Sequence, residues 1–530
     1  QGAPDPTNQV FRHAAASLTA GPNAARGEVF AARCLMSSMT RRCARIVAAG
    51  VLLALACPLC AAPPLLENVM PRGLQTGGST VVVVRGQHLL PEPRIVAPFG
   101  IASQTVREGA TPEQVQIEVA LAADVPPGLY QIRLATPEGI SNPVVVGVDA
   151  LPQVAFTEQV ASLPVALHGS CTGTSILSTR FAAAAGQQIV VEVEGRRLGV
   201  ELNPVVHLYD ERRVELGLAQ PTRSLFGDCR LVATVPADGT YIVELHDAAF
   251  RGPGPGTFRM KIGQFHFADL VYPLGVRAGA VTKLAFAGTN LPAEAAVEFA
   301  PPVAAGPAAA PWPSGLVGSG ALPRVNVSDW DELAEEAVTG PLLVPVGVSG
   351  RLAAAGQADR FTFSVEPGQT LRFAVTAARV GSPLDGVLQV MDAAGQVLAQ
   401  ADDQPDSPDP MLEFTVPGGN SLITAAIQDL QGRGGPDYVY RLTVVPAGWP
   451  DFSLHVSADR VDVPRSGVTV LRVQARRNGY NGPIRLSVPQ LPSTMVLAGD
   501  EIPAGAEHAL LAISAADSPP RALVARLRGE

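Results

Sequence analysis

Four carboxylates crowd one short stretch of this chain, at Asp402, Asp403, Asp406 and Asp409. Hard cations such as calcium take roughly six to eight oxygen ligands from carboxylates and carbonyls on flexible loops. A divalent ion would also relieve the mutual repulsion of the four side chains. This set is therefore the candidate metal site, and calcium is the cofactor it would take. A second chemistry lies in Cys171 and Cys229, the two cysteines outside the N-terminal stretch that holds Cys34, Cys43, Cys57 and Cys60. In an exported chain such a pair is most simply one disulfide. A third candidate is His168-Gly169-Ser170 followed by Gly173-Thr174-Ser175, which offers an imidazole and hydroxyls. A nucleophile needs a base that a third group orients, and no third group can be named. The remaining histidines at His88, His207, His246, His266, His455 and His508 show no His-x-x-x-His spacing, so the spacing gives no zinc site. His246-Asp247 reads as a turn at a strand end. Trp312, Trp330 and Trp449 sit in linker-like contexts rather than on a sugar-binding platform.

The elements that position these residues are repeated. Gly186-Gln187-Gln188-Ile189, Arg197-Leu198-Gly199 and Tyr209-Asp210 recur 182 positions later as Gly368-Gln369-Thr370-Leu371, Arg379-Val380-Gly381 and Met391-Asp392. A second echo at offset 202 links Pro71, Gly73, Gly77, Gly86 and Leu89 to Pro273, Gly275, Gly279, Gly288 and Leu291. The echoes interleave, so a two-module unit has been duplicated, and a fixed internal period marks an array. The second copy of the larger repeat has Ser349-Gly350 where the first has His168-Gly169, so a basic group is not required there.

Composition agrees. Of 530 residues, 47% are hydrophobic and 16% charged, which is too apolar for bulk disorder. The 52 glycines and 48 prolines fall between short apolar runs, as in an all-β chain rich in turns. A net charge of -9 argues against a nucleic-acid partner. Asp329 to Ala337, with Ser328 as N-cap, is the one stretch that reads as a short helix. Residues 301–313, rich in Ala and Pro, read as a loop or linker.

Arg41, Arg42 and Arg45 precede the apolar run Ile46 to Ala56, and small residues Cys60, Ala61 and Ala62 follow. A basic region, a short apolar region and a small-residue cleavage site make a secretory signal peptide. Residues 36–62 are therefore expected to be the signal peptide and 1–35 an upstream extension outside the true start. No membrane span is expected in the mature chain.

Pro71-x-Gly73, Gly77-Gly78, Gly86 and Leu89 resemble the opening of IPT/TIG domains, which have an immunoglobulin-like fold. Phe181, Gly186-Gln187, Pro236 to Tyr241 and Phe258-Arg259-Met260, with Asp359 to Phe363, Gly368-Gln369 and Tyr440-Arg441-Leu442, resemble the bacterial pre-peptidase C-terminal (PPC) domain. That resemblance implies a jelly-roll-like sandwich, in some members with bound calcium. Gly482-Pro483-Ile484-Arg485-Leu486 resembles closing immunoglobulin-like domains of bacterial surface proteins. The His168 and Ser175 strings are similar to those of subtilisin-like proteases, but there they lie far apart in sequence.

The expected fold is all-β, a string of immunoglobulin-like and jelly-roll-like sandwiches. The boundaries are 63–150 (IPT-like), 151–266 (PPC-like), 267–342 (IPT-like with linker), 343–446 (PPC-like) and 447–530 (immunoglobulin-like). The expected function is a non-catalytic scaffold, adhesion or binding protein, monomeric, secreted, periplasmic or at the cell surface. Its partner would be a protein or surface polysaccharide. The rival readings are the accessory region of a secreted subtilisin-like peptidase whose catalytic domain is absent from this chain, and a carbohydrate-binding protein.

Overall fold

A computed structural model describes residues 62–222, 224–405, 407–519 and 521–530. The expected upstream extension and signal peptide, together with Asp406, lie outside the described residues, Ala62 excepted. Among the described residues the regular structure is strand, apart from three single-turn 3-10 helices at Arg196–Leu198, Glu335–Ala337 and Ala378–Val380. No helix among them is long and apolar enough to cross a membrane.

The first module pairs a sheet ordered Leu65–Met70, Ser79–Gln87, Gln114–Leu121, Ile101–Val106 with one ordered Gly73–Gln75, Val144–Asp149, Gly128–Thr136, Arg94–Val96. Its strands alternate as a two-layer sandwich requires. In Ser79–Gln87, Thr80, Val82, Val84 and Gly86 are buried while their neighbours lie nearer solvent.

The second module places Gln153–Ala155, Val165–Ser170, Thr257–Gly263, Gln188–Glu194 and Cys229–Thr234 in one sheet. Ile176–Ala183, Gly239–Asp247, Pro204–Asp210 and Glu215–Ala219 form the other. The fourth module repeats this topology through Asp331–Ala334, Val346–Arg351, Val439–Pro446, Thr370–Thr376 and Met411–Thr415. Register repeats too: Phe181 faces Tyr241 and Phe363 faces Ile423, both residues moved by 182. Each module has its own apolar core, around Phe181, Val206 and Phe258 in one and Phe363, Leu388 and Tyr440 in the other.

The third module is smaller, with two three-stranded sheets. The stretch expected as a linker contributes a strand, Gly306–Ala309, which pairs with Arg324–Ser328. Ala310 is buried, and Trp312 packs against the core of this module. The expected helix at 329–337 is also corrected. Asp331–Ala334 is a strand parallel to Val346–Ser349 in the sheet of the fourth module, and only Glu335–Ala337 turns. Pairing along a sheet edge outweighs the weak local helical preference of a short acidic segment.

The fifth module sets Asp451–Val456, Val468–Asn478, His508–Ala515 and Met495–Ala498 against a small sheet of Glu501–Ile502, Ile484–Ser487 and Arg528–Gly529. It touches the first module: Arg133 Nη2 donates to Asp459 Oδ2 at 2.9 Å, and Arg460 Nη1 donates to the Ile140 carbonyl at 2.8 Å.

Candidate functional site

The strand Thr257–Gly263 is buried along its whole length. Phe258, Met260 and Ile262 enter the module core, so Arg259 and Lys261 point the other way. A single sandwich would leave that face to water, but the neighbouring modules cover it. Arg259 is 1% exposed and Lys261 0%. A buried charge survives only with partners, and here they arrive from adjacent strands and from both flanking modules.

Arg259 Nη2 donates to both oxygens of Asp149 at 2.7 Å, and Nη1 donates to Glu194 Oε2 at 2.9 Å. Lys261 Nζ donates to Glu194 Oε1 at 2.7 Å, to Glu192 Oε1 at 3.3 Å and to Ser319 Oγ at 2.9 Å. Ser319 Oγ in turn donates to Asp149 Oδ2 at 2.8 Å. Glu192 also takes Arg230 Nε at 2.8 Å and pairs with Arg197. Arg230 Nη1 reaches Asp269 Oδ2 at 2.7 Å, and its guanidinium lies 3.6 Å from the Phe267 ring centre. Asp149 closes the first module, and Asp269 and Ser319 belong to the third. One ion network therefore joins three modules. Burial would raise the Glu192 and Glu194 carboxyls, but Lys261 and the arginines outweigh it and hold both well below the usual range.

The joint between the third and fourth modules repeats the plan. Arg441 Nε donates to Glu332 Oε2 at 3.0 Å, and its Nη2 donates to Glu332 Oε1 and, at 3.0 Å, to Ser328 Oγ. Arg441 is Arg259 moved by 182 residues. The glycine echo now has a cause. A Cβ on Gly73 would overlap Gln153 Oε1 and lie 2.7 Å from Arg259 Nε; one on Gly275 would overlap Glu332 Oε2 and lie 2.6 Å from Arg441 Nε.

His168 belongs to this joint. The Arg72 N–H donates to its Nδ1 at 3.1 Å, so Nε2 carries the proton and donates to Gln153 Oε1 at 2.8 Å. Burial, with Arg259 adding to it, holds the imidazole pKa well below 6.5, so the ring is neutral. Both nitrogens are engaged and the residue is 3% exposed, which leaves no lone pair for a substrate. In the other copy Ser349 Oγ accepts the Leu274 and Gly275 N–H groups at 3.0 and 3.2 Å. A hydroxyl there does the work of the imidazole.

The described members of the acidic set, Asp402, Asp403 and Asp409, do not converge. Asp402 and Asp403 are exposed on their loop, whereas Asp409 is 3% exposed and faces inward. Its carboxylate accepts the N–H groups of Ala377, Ala378 and Arg379 at 3.1, 2.7 and 3.3 Å, plus Arg379 Nε at 2.8 Å. Those donors occupy the oxygens that calcium would need. Asp228 makes the same four contacts to Gly195, Arg196 and Arg197. Asp409 is thus the clamp of a repeated 3-10 turn. Among the described residues no group of three or more His, Cys, Asp or Glu is placed to hold a metal.

The expected disulfide is corrected as well. Cys171 and Cys229 are buried free thiols. Cys171 follows Val165–Ser170 and Cys229 opens Cys229–Thr234, with Thr257–Gly263 and Gln188–Glu194 between them in the sheet. Three strand spacings amount to roughly 14 Å, against the Cα separation of about 7 Å that a disulfide tolerates. Burial pushes both thiols up in pKa, which makes them unreactive.

Sequence reasoning missed the ion network because charged residues alternating with apolar ones read as a solvated strand face. One signal was available: Glu192 and Glu194, Arg230, and Arg259 and Lys261 place both signs on the outward positions of three paired strands.

No family model and no curated protein matches the chain. Solved structures do match. The pre-peptidase C-terminal domain of a Bacillus anthracis collagenase is 13% identical over 20% of this chain and 92% of its own, with a TM-score of 0.17. A Bacteroides ovatus protein, SGBP-B of a mixed-linkage glucan utilization locus in complex with a heptasaccharide, is 11% identical over 72% of this chain and 75% of its own, TM-score 0.17. The M60 catalytic domain of Clostridium perfringens ZmpB with its CBM51-1 and CBM51-2 domains is 8% identical; 70% of this chain spans 55% of that one, TM-score 0.15. All three scores are too low to carry an argument about ligand or activity.

Three outcomes are expected. Arg259→Leu strands Asp149 without its cation, leaves Glu194 with Lys261 alone, and costs roughly 3–5 kcal/mol in chemical denaturation; a loss below 1 kcal/mol would contradict the network. Gly275→Ala forces the Arg441–Glu332 pair apart and costs about 1–3 kcal/mol by the same measurement. The third concerns pH. His168 stays neutral in the folded chain, while an unfolded chain takes up the proton below its ordinary pKa of 6.5. The stability is therefore complete above pH 6.5 and is lost as pH falls below it, at up to about 1.4 kcal/mol per pH unit. His168→Ser keeps an acceptor and removes this step; equal pH slopes for the two proteins between pH 5 and 7 would refute the assignment.

Proposed function

We propose that this chain is a non-catalytic, exported scaffold that holds its β modules at set orientations for binding or presentation outside the cytoplasm. One observation carries the reading. The joints are buried ion networks, repeated at Arg259 and Arg441, rather than exposed linkers. An enzyme would invest its buried titratable groups around a cleft. Here Asp149, Glu194, Arg259, Lys261 and His168 are all consumed in joining one module to the next.

Residue patterns that resemble IPT and PPC domains support the same role, since such modules accompany other domains as accessory parts. The leader at residues 36–62 supports export. With the His168 imidazole closed off, the string that resembles a protease motif carries no base for catalysis.

Small-angle scattering tests the reading. The intact chain is expected to give one well-defined particle. An Arg259→Leu/Arg441→Leu variant is expected to show a broadened, flexible profile while circular dichroism still reports folded sheet. A flexible profile for the unaltered chain would overturn the proposal, as would hydrolysis of casein by the purified protein.

A further inference from the structure

Two histidines that sequence spacing left isolated meet on the outer face of the second module. His207 lies on Pro204–Asp210 and His246 on Gly239–Asp247, which are adjacent antiparallel strands. His207 sits beside Glu244, two residues before His246, so the two imidazoles are diagonal neighbours on one face. Their Nε2 atoms are 3.2 Å apart.

The other nitrogen of each ring decides what this means. His207 Nδ1 lies 2.7 Å from Glu215 Oε1, and His246 Nδ1 lies 2.9 Å from the Asp247 carbonyl oxygen. Both of those oxygens only accept, so each Nδ1 carries the hydrogen. With the hydrogen on Nδ1, each ring has Nε2 to offer as a ligand, and the two Nε2 atoms face each other at 3.2 Å. A metal ion held by both nitrogens suits this arrangement. Two imidazole nitrogens on a tetrahedral ion, each at about 2.0–2.1 Å, stand about 3.3 Å apart. A histidine ligand also characteristically donates its second N–H to a carboxylate or carbonyl, as both rings do here.

The surroundings hold the rings in place. Tyr209 stacks on His207 with ring centres 5.7 Å apart, and Phe250 stacks on His246 at 4.5 Å and 3°. Phe250 takes this position with φ of 51°, a left-handed backbone that disfavours a large side chain. Its counterpart in the fourth module is Gly432, which has φ of 67°. The first copy thus accepts an unfavourable backbone in order to lay a ring on His246. The fourth module has Gln389, Gln428 and Val397 in place of His207, His246 and Glu215, so the arrangement belongs to one copy and is not needed for the fold.

We propose that His207 and His246 together bind a divalent transition-metal ion, with Glu215 positioning His207. The nitrogen ligands select zinc, copper or nickel over calcium and magnesium. Two protein nitrogens leave further coordination positions to water or to a donor from a bound partner.

Calorimetric titration of the untagged full chain with zinc chloride tests this, using wild type, His207→Gln/His246→Gln and Glu215→Gln. The double variant carries the residues of the other copy, and circular dichroism and melting confirm its fold. Wild type is expected to bind one zinc ion. The double variant is expected to lose at least about tenfold in affinity, and Glu215→Gln about tenfold. Calcium in excess is expected not to compete. Absence of one-to-one zinc binding by wild type would overturn the proposal. So would unchanged affinity in the double variant, or displacement of zinc by calcium.

Discussion

A guanidinium buried between modules is the constraint to which the rest of the structure answers. Arg259 is out of contact with water and must be matched in charge and hydrogen bonding on every side. Asp149, Glu194 and Gln153 supply that match, and two of them lie on segments that connect the first module to the second. Any rotation of one module against the other would uncover the charge or separate it from its acceptors. Ion pairs of this kind add little stability over apolar packing of the same volume, because desolvation offsets the attraction. What they supply is direction: only one orientation satisfies all the donors. Each sandwich has its own apolar core, and the joints add to their ion pairs a smaller apolar cluster of Leu151, Ala166, Val190, Phe265 and Phe267.

The sequence displayed the cores more clearly than the joints. Period-two alternation and glycine-rich turns marked the sandwiches because each strand has one face toward its own core. The 182-residue echo located both large modules, and strand order and register agree. Joint residues follow a different logic. Arg259 and Lys261 occupy positions that alternation assigns to water, and only the covering modules make them interior. Asp409 looked like part of an ion-binding loop, although its carboxylate is turned inward to a 3-10 turn. Cys171 and Cys229 looked like partners because they share a module, and strand order sets them apart. His207 and His246 are far apart in sequence, and only cross-strand pairing puts them side by side. In each case, contacts between strands or modules decided the outcome, and a reading along the chain does not see these.

Comparing the copies separates what the fold requires from what it permits. Both retain the arginine of the joint, the glycine beneath it, and the buried aspartate that clamps the 3-10 turn at Asp228 or Asp409. At the backbone acceptor, imidazole and hydroxyl serve equally, His168 in one copy and Ser349 in the other. On the outer sheet face a stacked set of rings in one copy corresponds to a plain Gln389–Gln400 hydrogen bond in the other. The duplication kept its hinges fixed and let its exterior drift apart.

The contact between the fifth and first modules has a mechanical consequence. The Arg133–Asp459 pair is shallow, with Asp459 75% exposed, whereas Arg259 and Asp149 are sealed. Tension drawn along the polypeptide would meet these bonds in that order: the solvated clasp would yield first and lengthen the molecule, while the sealed joints kept each neighbouring pair aligned. An array built in this way has a weak fuse ahead of its strong couplings, so it can stretch by a defined step before any sandwich begins to unravel.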